Sequence, residues 1–143
     1  MENKLTYEYI RGLIEGEGCF TFCKIGKYQK IPAFAIGMNE RDKELLHLVK
    51  DTMGLRNRIY QYPPRIRKDG YKRDGMCILT VRDFGQLKNI IIPFFYKRLR
   101  GNKGKQFNQW LDNIGNDPKI SEHFRFLYKL HKSGFYDKNP KFE

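Results

Sequence analysis

Long apolar runs, paired cysteines and clustered histidines are scarce in this sequence, and each shortage closes off a class of protein. No stretch approaches the roughly twenty apolar residues of a membrane span, so no membrane partnership is expected. The opening MENKLTYEYI carries acids early and has no apolar signal-peptide core. Cys19, Cys23 and Cys77 make no disulfide framework and show no CxxC spacing. His47, His123 and His131 lie far from them along the chain, which argues against a zinc site. Free thiols suit a reducing, intracellular compartment: a mitochondrion, a chloroplast, or bacterial or archaeal cytoplasm. Acids are few as well, 16 Asp and Glu against 28 Lys and Arg, for a net charge of +12. No segment repeats another.

What is present points to a folded domain that attracts polyanions. Of 143 residues, 40% are hydrophobic and 15% aromatic, which excludes a disordered basic tail. Nucleic acid is the partner that this charge and aromatic content fit best. LTYEYIRGLIEG reads as a helix with Thr6 as its N-cap, and Leu5, Tyr9, Leu13 and Gly16 near one face. GCFTFCKIGKYQK and IPAFAIGM read as two strands joined by a turn at GKYQK. ERDKELLHLVKDTMG is an amphipathic helix stopped by Gly54. Residues 58–62 and 76–81 read as strands, separated by a Pro- and Arg-rich connection with two Asp-Gly turns. RDFGQLKNIIIPFF predicts a helix ending near Pro93, YKRLRGNKGK a basic loop, and KQFNQWLDNIG and SEHFRFLYKLHKSG two further helices. The order αββαββα, with helices on one face of a four-stranded antiparallel sheet, is an α+β fold. One domain is expected over residues 1–143, with a core at about 5–114 and a helical extension at about 119–134.

The join YIRGLIEGEGCFTF, Tyr9 to Phe22, poses a question. Glu15 and Glu17 sit at a helix C-terminus, where the helix dipole favours cations. Gly12 and Gly16 share a helical face and let another backbone approach closely, as small-xxx-small contacts do. If two copies pack there, two Glu17 carboxylates converge, and a divalent cation removes their repulsion. Such a site in a basic surface suits phosphodiester hydrolysis. The same residues also fit a plain helix end, with Gly16 or Gly18 in left-handed geometry and both acids solvated.

IRGLIEGEG, Ile10 to Gly18, resembles the LAGLIDADG motif of homing endonucleases. Gly12, Leu13, Ile14 and Gly18 match it, and Glu15 and Glu17 replace its two aspartates. CFTF after it, FAIGMNERDKELLHLVKDTMG (Phe34 to Gly54) and IIIPFF are similar in kind and order to the rest of the repeat. The resemblance implies an αββαββα unit with a saddle-shaped sheet over double-stranded DNA. It makes Glu17 the metal-binding acid with the Gly16 carbonyl beside it, Glu15 a structural acid, and Gly12, Leu13 and Gly16 the dimer interface. It further implies Mg²⁺ as cofactor, with Mn²⁺ able to substitute and Ca²⁺ binding without cleavage. One motif per chain implies a homodimer on a long pseudo-palindromic site.

Two catalytic positions depart from the family pattern. The polar residue that ends the second strand falls on Met38, with Asn39 beside it as the candidate for positioning water. The basic residue before the last core helix falls best on Lys103, with Lys105 as the alternative. Strand alternation sends Phe20, Phe22, Phe34, Ile36 and Met38 to the core. It turns Thr21, Cys23, Ile25, Lys27, Gln29, Ile31, Ala33, Ala35 and Gly37 outward toward DNA, joined by Arg58 and Tyr60. Arg65, Arg67, Lys68, Lys72 and Arg73, and Lys97, Arg98, Arg100, Lys103 and Lys105, are phosphate-contact candidates. The expected activity is therefore that of a site-specific, intron-encoded homing endonuclease. An intron RNA maturase or an inactive DNA-binding regulator of the same fold stands as the alternative.

Overall fold

The structure, a computed structural model, describes residues 4–143. Residues 1–3, part of the opening segment read for a signal peptide, lie outside the described residues. Helix α1 (Tyr7–Glu17) starts where the Thr6 hydroxyl accepts the Tyr9 N–H at 3.1 Å. It ends without a turn. Gly18 is extended (φ −88°, ψ 162°), so the chain passes straight into β1 (Gly18–Ile25). Neither Gly16 nor Gly18 is left-handed, so the plain helix-end geometry is not the one adopted. Gly18 is required for space: a Cβ there would overlap the Ile14 side chain and lie 2.9 Å from its carbonyl oxygen.

Strand β1 pairs with β2 (Gln29–Asn39) across a short loop that opens on left-handed Gly26. A 3₁₀ turn (Glu40–Asp42) leads into α2 (Lys43–Met53), which Gly54 closes in left-handed geometry. Then follow β3 (Ile59–Tyr62), a small ribbon of β4 (Arg65–Ile66) and β5 (Lys72–Arg73), and β6 (Met76–Val81). The ribbon occupies what the sequence suggests is only a connection; left-handed Gly70 makes its turn. The main sheet has the order β1-β2-β6-β3, all antiparallel. Phe34, Ile36 and Met38 of β2 and Cys77, Leu79 and Val81 of β6 are buried on one side, under Ile10 and Ile14 of α1 and Leu46, Val49 and Met53 of α2.

The segment after β6 is the helix expected to end near Pro93, but it is irregular. Helix α3 (Phe84–Gln86) runs through a π-helical turn (Leu87–Ile91) into α4 (Ile92–Phe95), so Pro93 does not end it. The Ile92 N–H reaches back to the Leu87 carbonyl, skipping Lys88, and Pro93 has no N–H to offer Asn89. Both freed carbonyls find distant donors: the Tyr136 hydroxyl bonds Lys88 O at 3.0 Å, and Lys141 Nζ bonds Asn89 O at 3.2 Å.

Helix α5 (Asn102–Asn116) places Phe107, Trp110, Leu111 and Ile114 in the same core. The Trp110 indole N–H donates to the Thr21 carbonyl at 2.8 Å. Helices α6 (Glu122–Lys132) and α7 (Phe135–Lys138) add Leu127 and Tyr136. The C-terminal tail is held by Arg11, which is buried on α1. Its guanidinium donates to Phe94 O at 2.8 Å, to Phe142 O at 2.6 Å and to Glu8 at 2.9 Å. Burial pulls this guanidinium below its usual pKa, and Glu8 opposes the fall.

Candidate functional site

Glu17 is the last residue of α1. Its exposed carboxylate makes no hydrogen bond or ion pair among the described residues. Gly16 beside it is exposed, and the final carbonyls of a helix have no intrahelical donor. One exposed point thus carries a free carboxylate and a free backbone carbonyl, both hard oxygen donors. Among the described residues no three His, Cys, Asp or Glu converge into a cage for a metal ion.

Lys103 joins this point from far along the chain. Its Nζ donates to the Gly18 carbonyl at 2.7 Å, one residue past Glu17. Lys103 and Lys105 lie in the first turn of α5, not in a loop as the sequence suggests. Lys105 borders a surface hollow with Arg100 and Lys97. Lys97 is paired with Asp137 at 2.6 Å, and Arg98 turns to the tail carbonyl of Phe142 at 3.4 Å. Of the basic cluster, Arg100 through its backbone N–H and Lys103 through its side chain reach the join.

The odd placement of Glu15 now has a reason. It lies at the C-terminal end of α1, but its carboxylate reaches the N-terminus of α5, where the dipole favours it. Oε1 accepts the Arg100 N–H at 2.7 Å and also the Gly101 N–H. Gly101 is the N-cap of α5 and has no capping side chain of its own.

Asn39 is engaged elsewhere. Its Oδ1 accepts the Arg41 N–H at 3.0 Å, capping the 3₁₀ turn, and its Nδ2 donates to Asp74 at 3.2 Å. Gly18 pairs with Ile36, so Asn39 lies three residues further along β2, about 10 Å at the usual strand rise. No hydrogen bond joins it to Glu17 or Lys103 among the described residues.

The two sides of α1 differ. Ile10 and Ile14 are fully buried against the chain's own core. Gly12, Gly16 and Tyr9, the last 49% exposed, form an open stripe, with Leu13 half-buried at its edge. A Cβ at Gly12 or Gly16 would meet nothing within 4 Å among the described residues.

A family model described as LAGLIDADG endonuclease matches residues 10–114, from the motif through α5. The chain belongs to the LAGLIDADG endonuclease family. Solved structures carry the same fold. The homing endonuclease I-LtrWI bound to target DNA is 24% identical with a TM-score of 0.60, the match covering 94% of this chain and 45% of that one. The homing endonuclease I-TnaI is 21% identical with a TM-score of 0.60, over 93% of this chain and 78% of that one. I-SmaMI bound to an uncleaved DNA target in the presence of calcium ions is 21% identical with a TM-score of 0.57, over 88% of this chain and 43% of that one. The chain therefore spans about half the length of two of these structures.

In this member of the LAGLIDADG endonuclease family the sheet face away from the helices is open. Cross-strand pairs Thr21–Ala33, Cys23–Ile31 and Ile25–Gln29 share that face, as do Ala35 and Gly37. Three placements differ from the sequence reading. Ala33 has the right register but is fully buried. Lys27 sits in the hairpin turn, outside the strand alternation. Arg58 precedes β3 and lies over the Tyr60 ring at 5.4 Å. Cys19, Tyr62 and the outward residues of β6, Met76, Ile78 and Thr80, share this face by the same alternation and were not among the expected ones. Cys23, Arg58, Tyr60, Tyr62, Thr80 and Arg82 border one hollow on this face. On the ribbon, Arg65 lies directly across from Arg73, with Arg67, Lys68 and Lys72 nearby, all exposed. Cys77 faces the core, and burial pushes its thiol pKa up, so it is no nucleophile.

Proposed function

We propose that this chain is a divalent-metal-dependent homing endonuclease that cleaves double-stranded DNA as a homodimer at a long pseudo-palindromic site. The observation that carries this reading is the open stripe of α1, which ends on the free Glu17 carboxylate. Two such stripes packed through Gly12 and Gly16 put one Glu17 from each copy side by side. Their mutual repulsion makes a cation the natural third member. Glu17 and the Gly16 carbonyl fit such an ion: they are hard oxygen donors, and magnesium takes few protein ligands, with water and phosphate oxygens completing its shell. When bound, the ion lowers the pKa of a coordinated water and stabilises charge on the phosphate oxygens.

The remaining steps belong to the chain's own residues. Lys103, held at the Gly18 carbonyl, supplies a positive charge and donor protons beside the phosphate under attack. The open sheet face offers hydroxyl, amide and small apolar groups to base edges in the major groove. The ribbon supplies phosphate contacts. Like charges directly across a strand pair repel, and a polyanion relieves the strain between Arg65 and Arg73. We assign the gene to a mobile intron and the protein to the compartment that holds the intron's DNA.

Incubating the purified chain with a randomised DNA library and Mg²⁺ tests this reading. Discrete double-strand cuts at a pseudo-palindromic sequence support it. Tight binding to intron RNA with no cut DNA overturns it in favour of a maturase.

A further inference from the structure

We propose that Glu15 is a positioning residue that sets Lys103 at the cleavage point, a claim that rests on the endonuclease reading above. Its carboxylate is the cap that α5 lacks. Oε1 takes the N–H groups of Arg100 and Gly101, the two residues that lead into the helix. A capping box normally supplies this bond from the third residue of the same helix. Here that position is Gly104, which has no side chain, so the acid comes from α1.

The two glycines on either side of Lys103 have close neighbours. A Cβ on Gly101 would stand 3.3 Å from Glu15 Oε1, and one on Gly104 would stand 2.9 Å from the Leu99 carbonyl. Lys103 lies between those two glycines and extends back to Gly18. Two contacts therefore bridge the same pair of elements. An acid on α1 grips the backbone of α5, and a base on α5 grips the backbone at the end of α1. Glu17 lies between Glu15 and Gly18 along the chain, at the exposed end of α1. The two acids of the motif have separate tasks, one on the chemistry and one on the base that assists it.

The experiment compares Glu15→Ala, Glu15→Gln, Lys103→Ala and the Glu15→Ala/Lys103→Ala double variant. Single-turnover cleavage is measured with Mg²⁺, and DNA affinity with Ca²⁺. Loss of one preorganised donor at Lys103 lowers cleavage about 100- to 1000-fold. Loosening that donor through Glu15→Ala lowers it by up to about 100-fold, the scale of a small misplacement. DNA affinity of Glu15→Ala holds within about threefold, a change of less than one kcal/mol. Glu15→Gln keeps an oxygen acceptor for both amides and recovers most of the rate. The double variant is no slower than Lys103→Ala alone, because both changes act through one group.

Two cleavage results overturn the inference: wild-type cleavage by Glu15→Ala, or a double variant slowed by both factors in full. A structural role alone would instead lower thermal stability and DNA affinity together with the rate. A second readout does not depend on cleavage. The amide signals of Arg100 and Gly101 and the Lys103 ¹⁵Nζ signal are followed by NMR in wild type and Glu15→Ala. The tether predicts weaker protection at both amides and a broadened Lys103 signal, and unchanged spectra refute it. If the wild type cleaves no DNA yet these signals respond, the endonuclease reading fails while the tether stands.

Discussion

At the scale of single residues, the motif works by what its glycines leave out, and each omission has a different reason. Gly18 sits in extended geometry that any residue adopts, so conformational freedom does not explain it. Space does: the Ile14 side chain and carbonyl occupy the position a Cβ would take. Gly18→Ala should lower stability by about 1–3 kcal/mol, the usual range for overpacking. Urea denaturation should show a lower midpoint with an unchanged slope. An unchanged midpoint would mean that the helix-strand join relaxes freely. The acids divide in the same way. The place of Glu17 at the exposed end of α1 was legible from the motif and its spacing. The task of Glu15 was not, because its partners Arg100 and Gly101 lie 85 and 86 residues away and no local pattern marks them.

At the scale of elements, α1 is the helix with two faces to satisfy. Its Ile10 and Ile14 side is spent on the chain's own core, and its Gly12 and Gly16 side has no partner among the described residues. Leucine at Gly16 should leave the isolated fold intact, since nothing among the described residues lies within 4 Å. Its helix propensity exceeds that of glycine by up to about 1 kcal/mol, so monomer stability should hold or rise. Pairing should weaken sharply, with sedimentation velocity shifting from dimer to monomer at micromolar concentration. A dimer unaffected by Gly16→Leu would place the interface elsewhere. The two-residue period of the strands and the longer period of the helices made most elements readable. The misread ones depend on remote partners. Helix continuation through Pro93 needs Tyr136 and Lys141 to take the freed carbonyls, across separations of 48 and 52 residues. The early start of α5 needs Glu15. Ala33 shows the limit of alternation, which assigns a face but not the exposure of a short side chain.

At the scale of the whole molecule, an open sheet face, a basic ribbon and a net charge of +12 present one extended surface to a polyanion. Replacing Arg65, Arg67, Lys68, Lys72 and Arg73 with glutamine should weaken DNA binding almost equally across sequences. The dependence of log K on log salt should become shallower by about 0.9 for each phosphate that is no longer neutralised. An unchanged slope would remove the ribbon from the DNA interface. The central claim concerns the α1 end, where two chains would build one centre around paired Glu17 carboxylates. The most direct measurement is Glu17→Gln, assayed for target cleavage with Mg²⁺ and for target binding with Ca²⁺. The account predicts no detectable cleavage with binding close to wild type. Cleavage near the wild-type rate, or binding that disappears along with cleavage, would contradict it.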